Sequence, residues 1–212
     1  MRVLVIDSGK GGRVVERYLK SMKPDIDLIY ACDEKNMPYG EKSTEEILEL
    51  TRKMIAPYED KYDILAVACN TISAAMIRTG KLPYSVVDVI LPTIRELRSQ
   101  NLKKLGIIST EYTYRSGIYS RHLNLIPSYS NTLARLIEDG MDENKEEIIE
   151  ELKNIISPMI ERGMKRLILG CTHYELIDYM IRDLYPHLEL LYPGKYQAEL
   201  VLRRMRNMKK RR

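Results

Sequence analysis

Asp63–Thr71 reads DILAVACNT, and Arg166–His173 reads RLILGCTH. Each is an apolar run, a small residue, and then a cysteine with a threonine within two positions. A short, wholly apolar run that ends so abruptly suits a strand covered on both faces, as in a parallel sheet between helices. The echo predicts two comparable α/β units facing each other. Working outward, the same β-rich pattern recurs at Val3–Ile6, Leu28–Ala31, Ile64–Ala68, Val86–Val89, Leu105–Ile108, Leu167–Leu169 and Leu188–Leu191. Amphipathic stretches separate these runs. In Glu45–Tyr58, for example, Ile47, Leu48, Leu50, Met54 and Ile55 fall at helical spacing. Strands alternating with helices predict an α/β fold with mainly parallel sheets. In such folds ligands bind beyond the carboxyl ends of the strands, so the residues just after each strand carry the information.

After the first strand comes Asp7-Ser8-Gly9-Lys10-Gly11-Gly12. The glycines permit a sharp turn, and a following helix would offer unpaired N–H groups to a carboxylate or phosphate. The spacing is neither a dinucleotide fingerprint nor a phosphate-binding loop of the Walker type. Asp7 at the strand end can bind an ammonium group or orient a base, or it can simply cap a helix. Ser43-Thr44-Glu45-Glu46 resembles a capping box, which is a structural role.

Cys69 and Cys171 both follow strands directly. At a helix N-terminus the dipole favours thiolate, so Cys69 is expected to have a lowered pKa. Asn70 and Thr71, with the helix N–H groups, can hold a carboxylate, and Thr172 and His173 repeat the arrangement after Cys171. Two cysteines in matching frames point to chemistry more strongly than either alone. Cys32 has no such frame and reads as inert. A thiolate and a thiol on opposite sides of an α-carbon suit racemisation, which removes a proton from one face and returns one to the other. The carbanion between those steps needs preorganised donors and exclusion of bulk water.

The bulk properties agree. The chain has 212 residues, 44% hydrophobic and 30% charged, an ordinary globular composition. No apolar run approaches the roughly 18 residues of a membrane span, and the N-terminus lacks signal-peptide character, so a cytoplasmic protein is expected. Three unclustered cysteines argue against a disulfide framework or a zinc site. The net charge of +4 owes much to the last ten residues, Arg203–Arg212, which hold seven basic side chains. Such a tail can bind nucleic acid or acidic membranes, or it can be the end of a terminal helix.

Taken together, Asp7–Gly12 (DSGKGG), Pro38–Ser43 (PYGEKS), Ala68–Thr71 (ACNT) and Gly170–Tyr174 (GCTHY) resemble the glutamate racemases of the aspartate/glutamate racemase superfamily. Ser116–Tyr119 and Ile137–Gly140 are weaker matches in the same order. His173 favours this branch, since aspartate racemases usually carry Glu there. The resemblance implies two α/β domains around a cleft that holds the active site. The first would comprise residues 1–90 plus 195–212, and the second 91–194. It implies that Cys69 acts on the D-enantiomer and Cys171 on the L-enantiomer, assisted by Asp7 and His173 respectively. Ser8, Tyr39, Gly40, Asn70, Thr71 and Thr172 would hold the substrate. It further implies no cofactor and no metal, a homodimer, and supply of D-glutamate for peptidoglycan. Against the family pattern the chain reads as shortened between Tyr119 and Gly163 and at its end. Tyr192-Pro193-Gly194 stands where Asp-Ser is usual, and Lys10 and Arg13 add charge near the anion site. Two other readings are an aspartate or broad-specificity racemase and a non-catalytic nucleic-acid-associated protein using the basic tail.

Overall fold

A computed structural model describes residues 1–80 and 85–210. Four parallel strands, β1 (Arg2–Asp7), β2 (Asp27–Cys32), β3 (Ile64–Val67) and β4 (Val86–Asp88), form one sheet in the order β2-β1-β3-β4. A second parallel sheet has the same order of crossovers, β6-β5-β7-β8. Its strands are β5 (Leu105–Ser109), β6 (Leu125–Tyr129), β7 (Arg166–Gly170) and β8 (Glu189–Leu191). The α/β class and its two similar sheets are those expected. The sequence echo is now a positional equivalence, because Cys69 follows β3 and Cys171 follows β7, each the third strand of its sheet.

Burial explains why these runs became strands. Val3, Leu4, Val5 and Ile6 are all fully buried, because helices cover both faces of β1. The exception was β6, whose sequence LIPSY does not read as a strand. It is half-exposed along its length and holds Pro127 opposite Ile107. Proline removes a ladder donor and is tolerated here because β6 lies at the sheet edge, with no strand on its outer side among the described residues.

Helices α1 (Arg13–Met22), α2 (Thr44–Ile55), α3 (Asn70–Arg78) and α4 (Ile90–Ser99) connect or follow the first strands. Of the capping box opening α2, one arm forms. Ser43 Oγ accepts from Glu46 N, while the Glu46 carboxylate turns to Lys42. Around the second sheet lie α5 (Glu111–Ser116), α6 (Leu133–Asp139), α7 (Lys145–Glu161) and α8 (Asp178–Leu184). The last helix, α9 (Pro193–Lys209), returns to the first sheet. Its Ala198, Val201 and Met205 pack with Val3, Val5, Val14 and Leu19. Gln197 Nε2 donates to both Val67 O and Val87 O at 2.8 Å, and Arg204 donates to Val86 O at 2.7 Å. Residues 203–210 of the basic tail are therefore the last turns of α9 and the residue after it. Arg211 and Arg212 lie outside the described residues. Among the described residues no helix is long and apolar enough to cross a membrane.

The two halves share an apolar seam in which Val89, Ile90, Ile94 and Leu97 meet Leu105, Ile107, Ile168 and Leu191. Away from that seam, Met37 packs against the second core and Tyr112 against the first, and polar contacts such as Thr172 to Asp7 also cross between the halves.

Candidate active site

Asp7 ends β1 and is completely buried. Its Oδ1 accepts from Ser8 N at 2.6 Å and Gly9 N at 3.4 Å, closing a tight turn rather than capping a helix. Its Oδ2 accepts from Thr172 Oγ1 at 2.9 Å, a bond from one half to the other. Burial pushes the Asp7 carboxyl above the usual range, and the charge of His173 with these hydrogen bonds opposes it.

The glycines that follow make this approach possible. A Cβ on Gly11 would stand 2.6 Å from Thr172 Oγ1 and 2.8 Å from the backbone N of His173. Backbone cannot swing aside as a flexible side chain can. Gly11→Ala should therefore push the halves apart, costing about 1–3 kcal/mol and lowering kcat/KM by about a hundredfold. Urea unfolding and steady-state kinetics on one preparation would separate the two effects, and unchanged kinetics would show that this contact does not set the site's geometry.

Cys69 is the N-cap of α3, as its place in the sequence suggests. The expected lowering of its pKa does not follow. Burial, and then the charge of Asp7, push the thiol up to about 12, outweighing the Ser8 hydroxyl and the Ile72 amide. The helix dipole acts on a group with almost no water around it, and desolvation of the thiolate is the larger effect. In this closed state Cys69 is a thiol, with Sγ 3.4 Å from Ser8 Oγ.

Cys171 lies 3.7 Å, Sγ to Nδ1, from His173. The other ring nitrogen, Nε2, is 2.7 Å from Glu138 Oε2. Burial alone would keep the ring neutral. The bonds to Cys171 and Glu138 and the charges of Cys171 and Asp7 reverse this and raise His173 to about 10. Burial likewise works against ionised Glu138, but His173 and the Lys10 amide hold its carboxyl below the usual value. Both Glu138 oxygens accept from Lys10 N at 3.1 Å, a second link between the halves.

The remaining candidates complete the walls. Asn70 Oδ1 accepts from Tyr119 at 2.7 Å, while its buried Nδ2 has no partner among the described residues, leaving a donor for an anionic ligand. Thr71 and Thr110 hydroxyls lie 2.9 Å apart, joining α3 to the end of β5. Tyr39 is buried and donates to Asp33 at 2.8 Å. A Cβ on Gly40 would stand 2.9 Å from Thr110 Cβ, so only glycine lets this turn close on β5.

All ten candidates, Asp7, Ser8, Tyr39, Gly40, Cys69, Asn70, Thr71, Cys171, Thr172 and His173, line one cavity. It measures about 20 Å³, room for about one water molecule, so the cavity must widen to admit an amino acid. A far larger groove of about 560 Å³ runs between α2 and α3, but no cysteine lines it. Cys32 lies apart, half-exposed, with its thiol toward Glu34. Two participants were not singled out from sequence, Thr110 and Glu138. The sequence signal for Glu138 was the Ile137–Gly140 match. It also sits one helical turn after Ala134, which lines the cavity.

Comparison with known proteins places this geometry. The Asp/Glu/Hydantoin racemase family matches residues 13–201. The glutamate racemase of Aquifex aeolicus is 34% identical over 192 residues, covering 86% of this chain and 75% of its own length. That of Persephonella marina is 32% identical over 211 residues, covering 93% and 80%. Among solved structures, a glutamate racemase isoform from Bacillus anthracis superposes with a TM-score of 0.86 at 27% identity, over 97% of this chain and 82% of that one. The Francisella tularensis glutamate racemase in complex with D-glutamate gives 0.84 at 26% identity, over 98% and 82%.

Proposed function

The chain belongs to the Asp/Glu/Hydantoin racemase family, and from that premise we propose that it interconverts L- and D-glutamate using its own side chains alone. The observation that carries this reading is the placement of two cysteines at equivalent strand ends of two sheets, on one closed cavity. The roles proposed are those the family resemblance implies, and the neighbours of each thiol support them. Cys171, beside a protonated His173, takes the α-proton of L-glutamate. Cys69, held as a thiol by burial, returns a proton to the opposite face and gives D-glutamate. The reverse reaction exchanges these duties. Asp7 faces the substrate ammonium and Cys69. The unpartnered amide of Asn70 and the hydroxyls of Ser8, Thr71 and Thr172 hold the carboxylates, with Tyr39 and Gly40 closing the wall. Closure of the halves excludes water, so these fixed dipoles stabilise the developing carbanion more strongly than solvent would. The D-glutamate formed would serve peptidoglycan precursor synthesis, and a homodimer is the proposed assembly.

Incubating the protein with L-glutamate and separately with D-glutamate, with nothing added, should bring both circular dichroism signals to zero. In deuterium oxide the product should carry deuterium at the α-carbon. Turnover without that label would remove the two-base mechanism, and a kcat/KM favouring aspartate would replace glutamate as substrate.

A further inference from the structure

The mechanism leaves two buried carboxyls unused, Asp88, whose Oδ1 accepts from Ile90 N and Leu91 N at the start of α4, and Glu175. Glu175 lies two residues after His173 on the 3-10 segment Thr172–Ile177 and is buried. Its Oε1 accepts from Gly194 N at 2.9 Å. Gly194 belongs to the first turn of α9, whose N-cap Tyr192 supplies no side-chain hydrogen bond and whose first turn has no acid. Glu175 reaches in from another segment to supply both the missing acceptor and the negative charge that this helix end favours. The fit is close, since a Cβ on Gly194 would stand 3.1 and 3.3 Å from the two carboxylate oxygens. The second oxygen, Oε2, makes no hydrogen bond of ordinary geometry among the described residues, although the Tyr18 hydroxyl faces the carboxyl. An acid kept in such a place costs stability, which calls for a reason.

Following the contacts supplies one. One turn into α9, Gln197 donates to Val67 O, and Val67 is two residues before Cys69. Two hydrogen bonds, joined through the first turn of α9, thus link the segment after Cys171 to the strand end that presents Cys69. We infer that Glu175 is a positioning residue, one end of a strut that fixes the Thr172–His173 segment relative to Cys69 when the cleft closes. This inference rests on the racemase reading. Substrate contact is not part of the role, because Glu175 does not line the cavity.

The strut also titrates. From α1 the carboxyl faces Tyr18 and Arg17, from the start of α8 Asp178, and from α9 the Gly194 amide. Burial raises Glu175 to about 7, against the amide and the Tyr18 hydroxyl, with Asp178 adding to the rise.

The test compares the parent protein with Glu175→Ala and Glu175→Gln. Glu175→Ala should lower kcat about tenfold or more with KM within about threefold. Glu175→Gln, which keeps an acceptor for Gly194, should recover kcat to within about threefold. The parent's kcat should bend near pH 7, and that bend should be missing in Glu175→Gln. Hydrogen exchange of residues 171–177 and 193–197 should quicken together in Glu175→Ala while β1 stays protected. Parental kcat in Glu175→Ala with only a lower melting temperature would overturn the inference. So would the same pH bend in Glu175→Gln, a comparison that survives if the alanine variant fails to fold. A parent inert on every acidic amino acid would sink the racemase reading instead. Exchange would then decide the strut alone, and no change in either segment would refute it.

Discussion

Serine in place of either Cys69 or Cys171 is expected to lower racemisation at least about a thousandfold in both directions, with the fold intact. A serine hydroxyl is far less acidic than a thiol, so it neither takes the α-proton nor returns one at a useful rate. Both sulfurs sit in packed clusters, Cys69 against Ile72 and Ala75 and Cys171 against Leu169 and Tyr174. Each also has a polar neighbour, Ser8 or His173, able to satisfy a hydroxyl. The stability loss should therefore stay near 1 kcal/mol, the low end for burying a hydroxyl. A sharper result concerns exchange without inversion. With Cys171 intact, Cys69→Ser should still remove the α-proton of L-glutamate and return a solvent deuteron to the same face. It should leave D-glutamate untouched. Cys171→Ser should show the opposite preference. Cys32→Ser, outside the cavity, should match the parent. NMR of the α-proton in deuterium oxide reads all of this. Residual racemisation near the parental rate in either active-site variant would end the two-thiol mechanism, and loss of exchange for both enantiomers alike would end the assignment of one thiol to each.

Much of this was legible from residue order, and the reasons are local. A run such as LVI or LAV, apolar without alternation, specifies a strand with two covered faces, so seven of the strands could be read directly. The cysteines were legible because a residue at a strand's carboxyl end has few places to point other than the cleft. What escaped was set by tertiary context. β6 holds a proline that only its edge position permits. Glu138 falls within the weaker Ile137–Gly140 match on α6, 35 residues before His173, and only the fold brings the two together. The pKa of Cys69 departs from the sequence expectation for a similar reason. The helix dipole is visible in sequence, whereas the degree of desolvation and the closeness of Asp7 are not.

Glu138→Gln tests that missed residue and should show the second large effect. The substitution keeps the shape and one acceptor but removes the charge that faces His173 Nε2 at 2.7 Å. The ring's raised pKa, about 10, rests on that bond together with Cys171 and Asp7, all working against burial. Without Glu138, burial should win back much of the shift. At pH 8 the ring would then be largely neutral, with a single N–H to divide between Cys171 and residue 138. The expected loss in kcat at pH 8 is about a hundredfold, within the range for removing acid–base support. The loss should shrink toward pH 6, where even a ring of ordinary pKa is charged. The linkage has a definite sign. A histidine whose folded pKa is raised stabilises the fold fully below its unfolded value of about 6.5, and that stabilisation is lost as pH rises through about 10. The parent should therefore lose stability between those limits, and Glu138→Gln should flatten the slope. Urea midpoints at intervals from pH 6 to pH 10, set beside kcat over the same range, provide the measurement. A parental pH profile in the variant would mean that His173 owes its charge to other groups and that Glu138 merely fills space.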